Sequence, residues 1–501
     1  MAAARDGQQL LRTAGPKRKQ PENERYASAL RLGLGTNGRS LTRTKSVQGI
    51  LESKDSGETE FHQDDIVYKR RTQRSAMSCS GNCFWPRSED GLVKIPVNIS
   101  PDFSVEHKDV IIKAMEEFVT LTCIRFIKHT VEYDYINIVP GDRCWSYFGK
   151  IGGRQQLSLL KNGCIYKGLI QHELNHALGF LHEQTRSDRD NYVKINLEYV
   201  AKGERGNFEK ENTTNLGLPY DYDSVMHYGA YDFSNTAGKP TIIPIPNGSV
   251  PIGQRVGLSN LDVKKINKLY NCNDCSTVLH NPGGHFCSYN YPHSYPRNIT
   301  CLWLIQTLQG KVFLSFHILD LQSSPNCSSD YIRIYDGSSR KGRILIDKCC
   351  RAGQLPAVVA SGNTMLIEFV SDEDETATGF MASYTHVKCG GTFTNTSGVI
   401  TTPNFPKKYP PNQACLWIIS APPENKISLS MTSFELEDID GCRYDRLVLY
   451  DGSQSSSPFI GTFCGKMKIP PYTSTGNFLR IEFYTDFAFQ LSGFKMNYSI
   501  S

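Results

Sequence analysis

The chain has 501 residues, 39% of them apolar, and a formal net charge of +5; that is core enough for roughly two to four domains and excludes a disordered, tail-like protein. Its basic excess is confined to residues 1–78, where fifteen Lys/Arg stand against nine Asp/Glu, so the charge gives no nucleic-acid surface to the remainder. No run of about 18 apolar residues occurs, which excludes a membrane-spanning helix.

Residues 1 to about 60 are polar, without sustained periodicity, and read as disordered or loosely attached. The opening MAAARDGQQLLRTAG holds no apolar core of signal-peptide length. Against that stand sixteen cysteines and seven Asn-x-Ser/Thr sequons, at Asn98, Asn212, Asn247, Asn298, Asn326, Asn395 and Asn497, which together point to an oxidising, secretory environment. Pro101 follows the sequon at Asn98 and hinders its modification. An alternative or wrongly assigned start reconciles the two signals. Further on, LVKIPVNIS reads as a strand, residues 104–121 as an amphipathic helix, and IRFIKH and YINIVPG as short strands. GGRQQLSLL reads as an edge strand, to which an extended peptide could add through backbone hydrogen bonds.

The chemistry sits in Gly168 to Glu183, GLIQHELNHALGFLHE. His172 and His176 are four apart and share one helix face, as two zinc ligands require. Gly179 then breaks the helix, so the chain turns and returns His182 as a third ligand. Three neutral imidazoles leave one position of a tetrahedral Zn2+ open, the mark of a catalytic site. Zinc lowers the pKa of a bound water to roughly 7, and Glu173, between the first two histidines, is placed as the general base that later protonates a leaving amine. A bare HExxH recurs by chance; the extension to HELNHALGFLH makes the match specific. Past a half sparse in regular structure comes Ser224-Val225-Met226-His227-Tyr228, similar to the Met-turn beneath the zinc of metzincins, with Met226 as the soft floor. A last helix is expected near SNLDVKKINKLY.

HELNHALGFLHE followed by SVMHY resembles the astacin family of zinc endopeptidases, which implies an α+β metzincin catalytic domain. By that resemblance Tyr228 is an additional zinc ligand that swings away to stabilise the oxyanion, and Glu183 receives the buried N-terminus of the mature enzyme. Residues 61–74, FHQDDIVYKRRTQR, are similar to the inhibitory end of an astacin propeptide, whose Phe-x-Gly-Asp motif puts an aspartate on the zinc. Here the glycine is missing and two aspartates follow, so the zymogen ligand is Asp65 or Asp64, with Asp65 preferred for its place before Ile66. Lys69, Arg70, Arg71 and Arg74 offer sites to an activating protease, and a cut after Arg74 starts the mature chain at Ser75. The family resemblance pairs Cys123 with Cys272 and Cys144 with Cys164; a Cys79–Cys83 pair is similar to that of hatching-type members. The implied domains are 1–74 (N-terminal segment and propeptide), 75–272 (catalytic), 275–387 and 389–501.

The last two are copies of one another. NYPHSYPRNITCLWLI recurs as NFPKKYPPNQACLWII, and DYIRIYDGS as DRLVLYDGS, a tandem duplication of short strands that reads as two all-β sandwiches. Both resemble CUB domains. Matching the copies pairs Cys275 with Cys301, Cys327 with Cys350, Cys389 with Cys415 and Cys442 with Cys464. Cys287 and Cys349 remain as an extra bridge, the alternative being that one is free or pairs between molecules. Many CUB domains bind Ca2+ through one glutamate and two aspartates. Glu437, Asp445 and Asp486 match that pattern in the second copy; in the first, Asp330 and Asp372 match but Leu319, beside Asp320, takes the glutamate position, so weak or no binding is expected there.

The resemblance implies a secreted, extracellular zinc metalloendopeptidase made as a zymogen, with CUB modules that position it on extracellular glycoprotein substrates. One astacin domain with two CUB modules and no EGF-like insert is most similar to amphibian hatching enzymes, which act on egg-envelope proteins. A tolloid-like protease of matrix proteins or growth-factor antagonists is the alternative. A non-catalytic CUB adhesion protein is disfavoured by the intact His172, Glu173, His176, His182 and Tyr228.

Overall fold

The computed structural model describes residues 59–69, 83–272, 275–350, 355–439 and 441–501. The readings of residues 1–58, of Arg70, Arg71 and Arg74, of Ser75 as the mature start and of the Cys79–Cys83 pair lie outside the described residues.

One seven-stranded sheet carries the first half of the catalytic region. Its strands are β1 (Thr59–His62), β2 (Ile66–Lys69), β3 (Val93–Ile99), β4 (Ile124–Lys128), β5 (Tyr135–Val139), β6 (Trp145–Tyr147) and β7 (Arg154–Ser158), in the order β1-β2-β6-β7-β5-β3-β4. Helix α1 (Val105–Leu121) starts where the Ser104 hydroxyl accepts the His107 N–H at 3.2 Å. Its Ile111, Ala114, Met115, Phe118 and Leu121, spaced by three or four residues, bury one face among Val93, Ile95, Ile136, Ile138 and Leu157 of the sheet. Bonds between Cys123 and Cys272 and between Cys144 and Cys164 tie this core together.

The sheet order corrects one expectation. β7 is not an edge strand but lies between β6 and β5; the outer strands of the catalytic region are β6 and β4, and β6 is the one on the β7 side. With only three residues, β6 is too short for a two-residue period to show in the sequence. The hairpin β1–β2, which precedes the catalytic region, adds to β6, with Ile66 and Val67 in parallel register with Ser146 and Tyr147.

After helix α2 (Lys167–Ala177) the chain runs mainly through single helical turns and the small pair β8 (Val193–Ile195) and β9 (Ile242–Pro244) until α3 (Asn260–Leu269). Ser259 and Asp262 form a reciprocal capping box at the start of α3.

Two sandwiches follow. The first packs β10 (Ser276–Leu279), β12 (Thr300–Gln306), β17 (Thr364–Val370), β14 (Tyr331–Asp336) and β15 (Ile344–Cys349), in that order, against β11 (Gly284–Cys287), β18 (Gly379–Val387), β13 (Lys311–Asp320) and β16 (Val358–Val359). The second repeats this with β19 (Cys389–Phe393), β21 (Ala414–Ser420), β26 (Phe478–Tyr484), β23 (Arg446–Tyr450) and β24 (Phe459–Phe463) facing β20 (Ser397–Thr401), β27 (Gly493–Ile500), β22 (Ile427–Glu435) and β25 (Tyr472–Thr473). Bonds join Cys275 to Cys301, Cys327 to Cys350, Cys389 to Cys415 and Cys442 to Cys464.

No bond joins Cys287 and Cys349, contrary to the extra bridge expected, and Cys287 is a free thiol. The two residues end strands of opposite sheets, β11 and β15.

Candidate active site

Helix α2 can start where it does because residue 168 is glycine. A Cβ there would lie 2.0 Å from the Arg255 carbonyl oxygen, so only glycine lets the helix N-terminus seat against that loop. The helix ends at Gly179, whose φ of +91° suits the left-handed stop. Gly179 N–H bonds the His176 carbonyl at 2.9 Å and Phe180 N–H bonds the Asn175 carbonyl at 3.0 Å, which closes the turn on the last carbonyls of the helix. The reversal brings the Phe180 carbonyl 2.7 Å from His176 Nδ1 and carries the chain on to His182.

His172, His176 and His182 are all buried, and with Asp65 they offer ligand atoms within 4.8 Å of one another. His172 Nδ1 donates to the Val225 carbonyl at 2.8 Å, His176 Nδ1 to Phe180, and His182 Nδ1 to the Gln63 side-chain oxygen at 3.0 Å. These bonds fix each Nε2 as the ring nitrogen that carries a lone pair. The Nε2 atoms converge: His176 and His182 lie 3.1 and 3.2 Å from that of His172. Lone pairs facing one another at that distance repel unless a cation sits among them, so this donor set fits zinc. Burial pushes His172 down to about 3 and His182 to about 4, which keeps both rings neutral and able to ligate.

Asp65, rather than Asp64, enters this cluster. Its Oδ2 is 3.1 Å from His172 Nε2, and its Oδ1 is 3.5 Å from His176 and 3.3 Å from His182. Burial opposes its ionisation, yet His182 and His176 outweigh that and hold it well below the usual carboxylate range. Asp64 is exposed and faces Arg143 at 3.5 Å.

Glu173 lies on the same helix, buried, with its Oε2 lacking a hydrogen-bond partner among the described residues; burial and then the Asp65 charge raise it well above a normal carboxyl. Tyr228 packs at a tilt against His182 with ring centroids 4.5 Å apart and donates its hydroxyl to the Gln63 carbonyl at 3.2 Å. Met226 is buried on the core side of the turn, and its carbonyl accepts from Glu183 N–H at 3.1 Å. Glu183 Oε2 accepts from Lys265 Nζ at 2.6 Å, and its Oε1 from Arg186 Nη1 at 3.0 Å and Asp221 N–H at 2.9 Å.

Several positioning residues escaped the sequence reading. Asp262 does more than cap α3: its carboxylate also accepts from the Ser224 hydroxyl at 2.6 Å and Val225 N–H at 2.9 Å, tying the turn beneath the histidines to the last helix. The Ser259-x-x-Asp262 spacing revealed the cap but not its second use. Gln63, in place of the expected glycine, has a φ of +51° and spends its amide on His182 and Glu211. Nothing local marks Glu211.

In the second sandwich Glu437, Asp445 and Asp486 form a compact acidic cluster, and Glu437 Oε2 is buried without a partner. Burial, followed by Asp445 and Asp486, raises Glu437. The first sandwich corrects the expected match at Leu319. The hydroxyl of Tyr409, bonded to Asp445, accepts from Glu437 N–H; that of Tyr295, bonded to Asp330, accepts from Gln322 N–H. Gln322 is therefore the counterpart of Glu437, and its Oε1 too is buried without a partner among the described residues. The loop before β22 is one residue longer than the loop before β13, which shifts the offset between the copies from 114 at Gln306 and Ser420 to 115 at Gln322 and Glu437, while the bulges near Phe316 and Met431 are common to both.

The family model for the Astacin peptidases matches residues 84–271, and that for the CUB domain matches 275–384 and 389–498. Embryonic protein UVS.2 of Xenopus laevis is 45% identical over 451 residues, covering 90% of this chain and 87% of that protein. Astacin-like metalloendopeptidase of Gallus gallus is 52% identical over 341 residues, covering 68% and 82%. Among solved structures, high choriolytic enzyme 1, a hatching enzyme zinc-protease from Oryzias latipes, is 52% identical and covers 40% of this chain and 100% of that one, with a TM-score of 0.39. The chain belongs to the astacin family of metalloendopeptidases and carries two CUB domains behind its catalytic domain.

Proposed function

We propose that the protein is secreted as a zymogen and, once the propeptide is cut after Arg74, hydrolyses peptide bonds in extracellular glycoproteins, egg-envelope proteins in particular. The observation that carries the reading is the Asp65 carboxylate seated among the Nε2 atoms of His172, His176 and His182, beside Glu173, whose Oε2 has no hydrogen-bond partner among the described residues. Zinc held there supplies a Lewis acid that makes water nucleophilic near neutral pH and polarises a peptide carbonyl. Glu173 takes the proton lost by the attacking water and hands it to the leaving amine. Tyr228, released from the Gln63 carbonyl when the hairpin departs, donates its hydroxyl to the developing oxyanion. Strand β6, vacated by β2, offers its backbone to an extended substrate. Glu183, buried beside a small cavity lined by Asn175, Met226 and Lys265, receives the new amino group of Ser75.

The egg-envelope assignment rests on the resemblance of one astacin domain with two CUB domains to hatching enzymes; embryonic protein UVS.2 of Xenopus laevis shares that span over 87% of its length. Bone morphogenetic protein 1 of the same species is 37% identical, and the match covers only 59% of it, which makes the tolloid-like reading second. The second CUB domain is assigned Ca2+ through Glu437, Asp445 and Asp486, and the first a weaker site because Gln322 removes one charge. A calcium titration that finds no site sensitive to Glu437→Gln refutes that assignment. The substrate is tested by incubating isolated egg envelope with the Arg74-processed protein, with and without a zinc chelator. Solubilisation that the chelator abolishes supports the reading; an intact envelope beside a cleaved generic protein leaves the peptidase and rejects the substrate.

A further inference from the structure

The hairpin that blocks the catalytic centre also marks out part of the substrate cleft. Asp65 sits among the histidines, its carbonyl accepts from Ser146 N–H at 2.9 Å, and the Val67 carbonyl accepts from Phe148 N–H at 3.1 Å. Residues 62 and 63 lead directly into this stretch of backbone, which lies along β6. Both aim their side chains at one acceptor. His62 Nε2 is 2.6 Å from Glu211 Oε1, and Gln63 Nε2 donates to the same oxygen at 3.0 Å.

Glu211 belongs to the catalytic domain. Its backbone is pinned next to the metal-binding segment, since Glu211 N–H donates to the Thr185 carbonyl at 2.7 Å. Its side chain is only 10% exposed with the hairpin in place. Among the described residues, His62 and Gln63 supply all the hydrogen bonds its carboxylate receives. Both leave with the propeptide. A carboxylate in a cleft wall that has lost its donors is restored by a cationic side chain brought in by the substrate.

We propose that Glu211 is a specificity-determining residue that selects Lys, Arg or His at one substrate position within about three residues of the scissile bond, the reach set by His62 and Asp65. His62 and Gln63 occupy that subsite in the zymogen. The proposal deepens the peptidase reading and rests on it.

The test profiles peptide-library cleavage by the Arg74-processed enzyme, comparing wild type with Glu211→Gln and Glu211→Lys. Zinc content per chain shows that each variant retains a folded site. In the wild type, one position should favour basic over neutral residues roughly tenfold in kcat/KM, carried by KM, as expected for a hydrogen bond to a charged group. Glu211→Gln should flatten that ratio and Glu211→Lys should turn the preference toward Asp and Glu. A basic preference that persists in Glu211→Gln overturns the proposal. So does a common profile for all three enzymes with faster propeptide release in the variants, which would make Glu211 only an anchor for the hairpin. A wild type that cuts no peptide overturns the peptidase reading and this proposal together.

Discussion

At the scale of single residues, the proposed latency rests on one carboxylate of an adjacent pair. Asp64 and Asp65 differ by one position, yet Asp65 points into the three imidazoles and Asp64 out toward Arg143. The positive φ of Gln63 and Asp64 turns the chain between β1 and β2 so that the second aspartate faces inward. Asp65→Ala should therefore give uncut zymogen that hydrolyses peptides, whereas Asp64→Ala should stay latent. Peptidase assays on chains with an uncleavable Arg74→Ala site check this. Equal latency in both variants would mean that the hairpin blocks the cleft by bulk alone.

At the scale of elements, much of the site could be read from spacing. HELNHALGFLH specifies a helix, a left-handed stop and a returning third histidine, because 3.6 residues per turn and the glycine φ leave little choice. What depends on long-range register was not legible. β6 is too short to show a period, a one-residue difference in the loops before β13 and β22 hid Gln322 behind Leu319, and the contact of Glu211 with His62 spans 149 residues. The join between the Met-turn and α3 belongs to the same class. There Asp221 and Asp262 are buried together beside Ser259 and Lys265. Burial, then the charge of Asp262, pushes Asp221 up to about 7. An unfolded aspartate titrates near 3.9, so the neutral Asp221 favours folding below about pH 4, and that contribution is lost as pH rises through about 7. Asp221→Asn should thus gain stability relative to wild type between pH 5 and pH 8. Urea midpoints of the zymogen at both values measure it, and parallel pH curves would refute the shift.

At the scale of the whole molecule, the two CUB domains explain an oddity of their own sequences. Strands that face a core on one side should alternate, yet CLWLI and CLWII are continuously apolar. In β12, Cys301, Trp303 and Ile305 point into the first sandwich, while Leu302 and Leu304 join the core of the catalytic domain. In β21, Cys415, Trp417 and Ile419 fill the second sandwich, while Leu416 and Ile418 pack with Val359, Phe313 and Val387 of the first. Each CUB domain thus docks by the outer face of the same strand onto the domain before it. Gln306 and Lys167, which share the Glu117 carboxylate, add a polar seam at the first joint. Leu302→Asp with Leu304→Asp should leave both sandwiches folded but free the first from the catalytic domain, seen as a larger radius of gyration in solution scattering. An unchanged radius would show that the apolar seam does not hold the domains.

The most direct test of the central claim is zinc content and peptide hydrolysis measured together on the Arg74-processed wild type and on Glu173→Gln. The account predicts one zinc per chain in both, with hydrolysis falling by roughly 10²–10⁴-fold in the variant, the scale of a lost general base. A variant that binds zinc and still cleaves at the wild-type rate would contradict it.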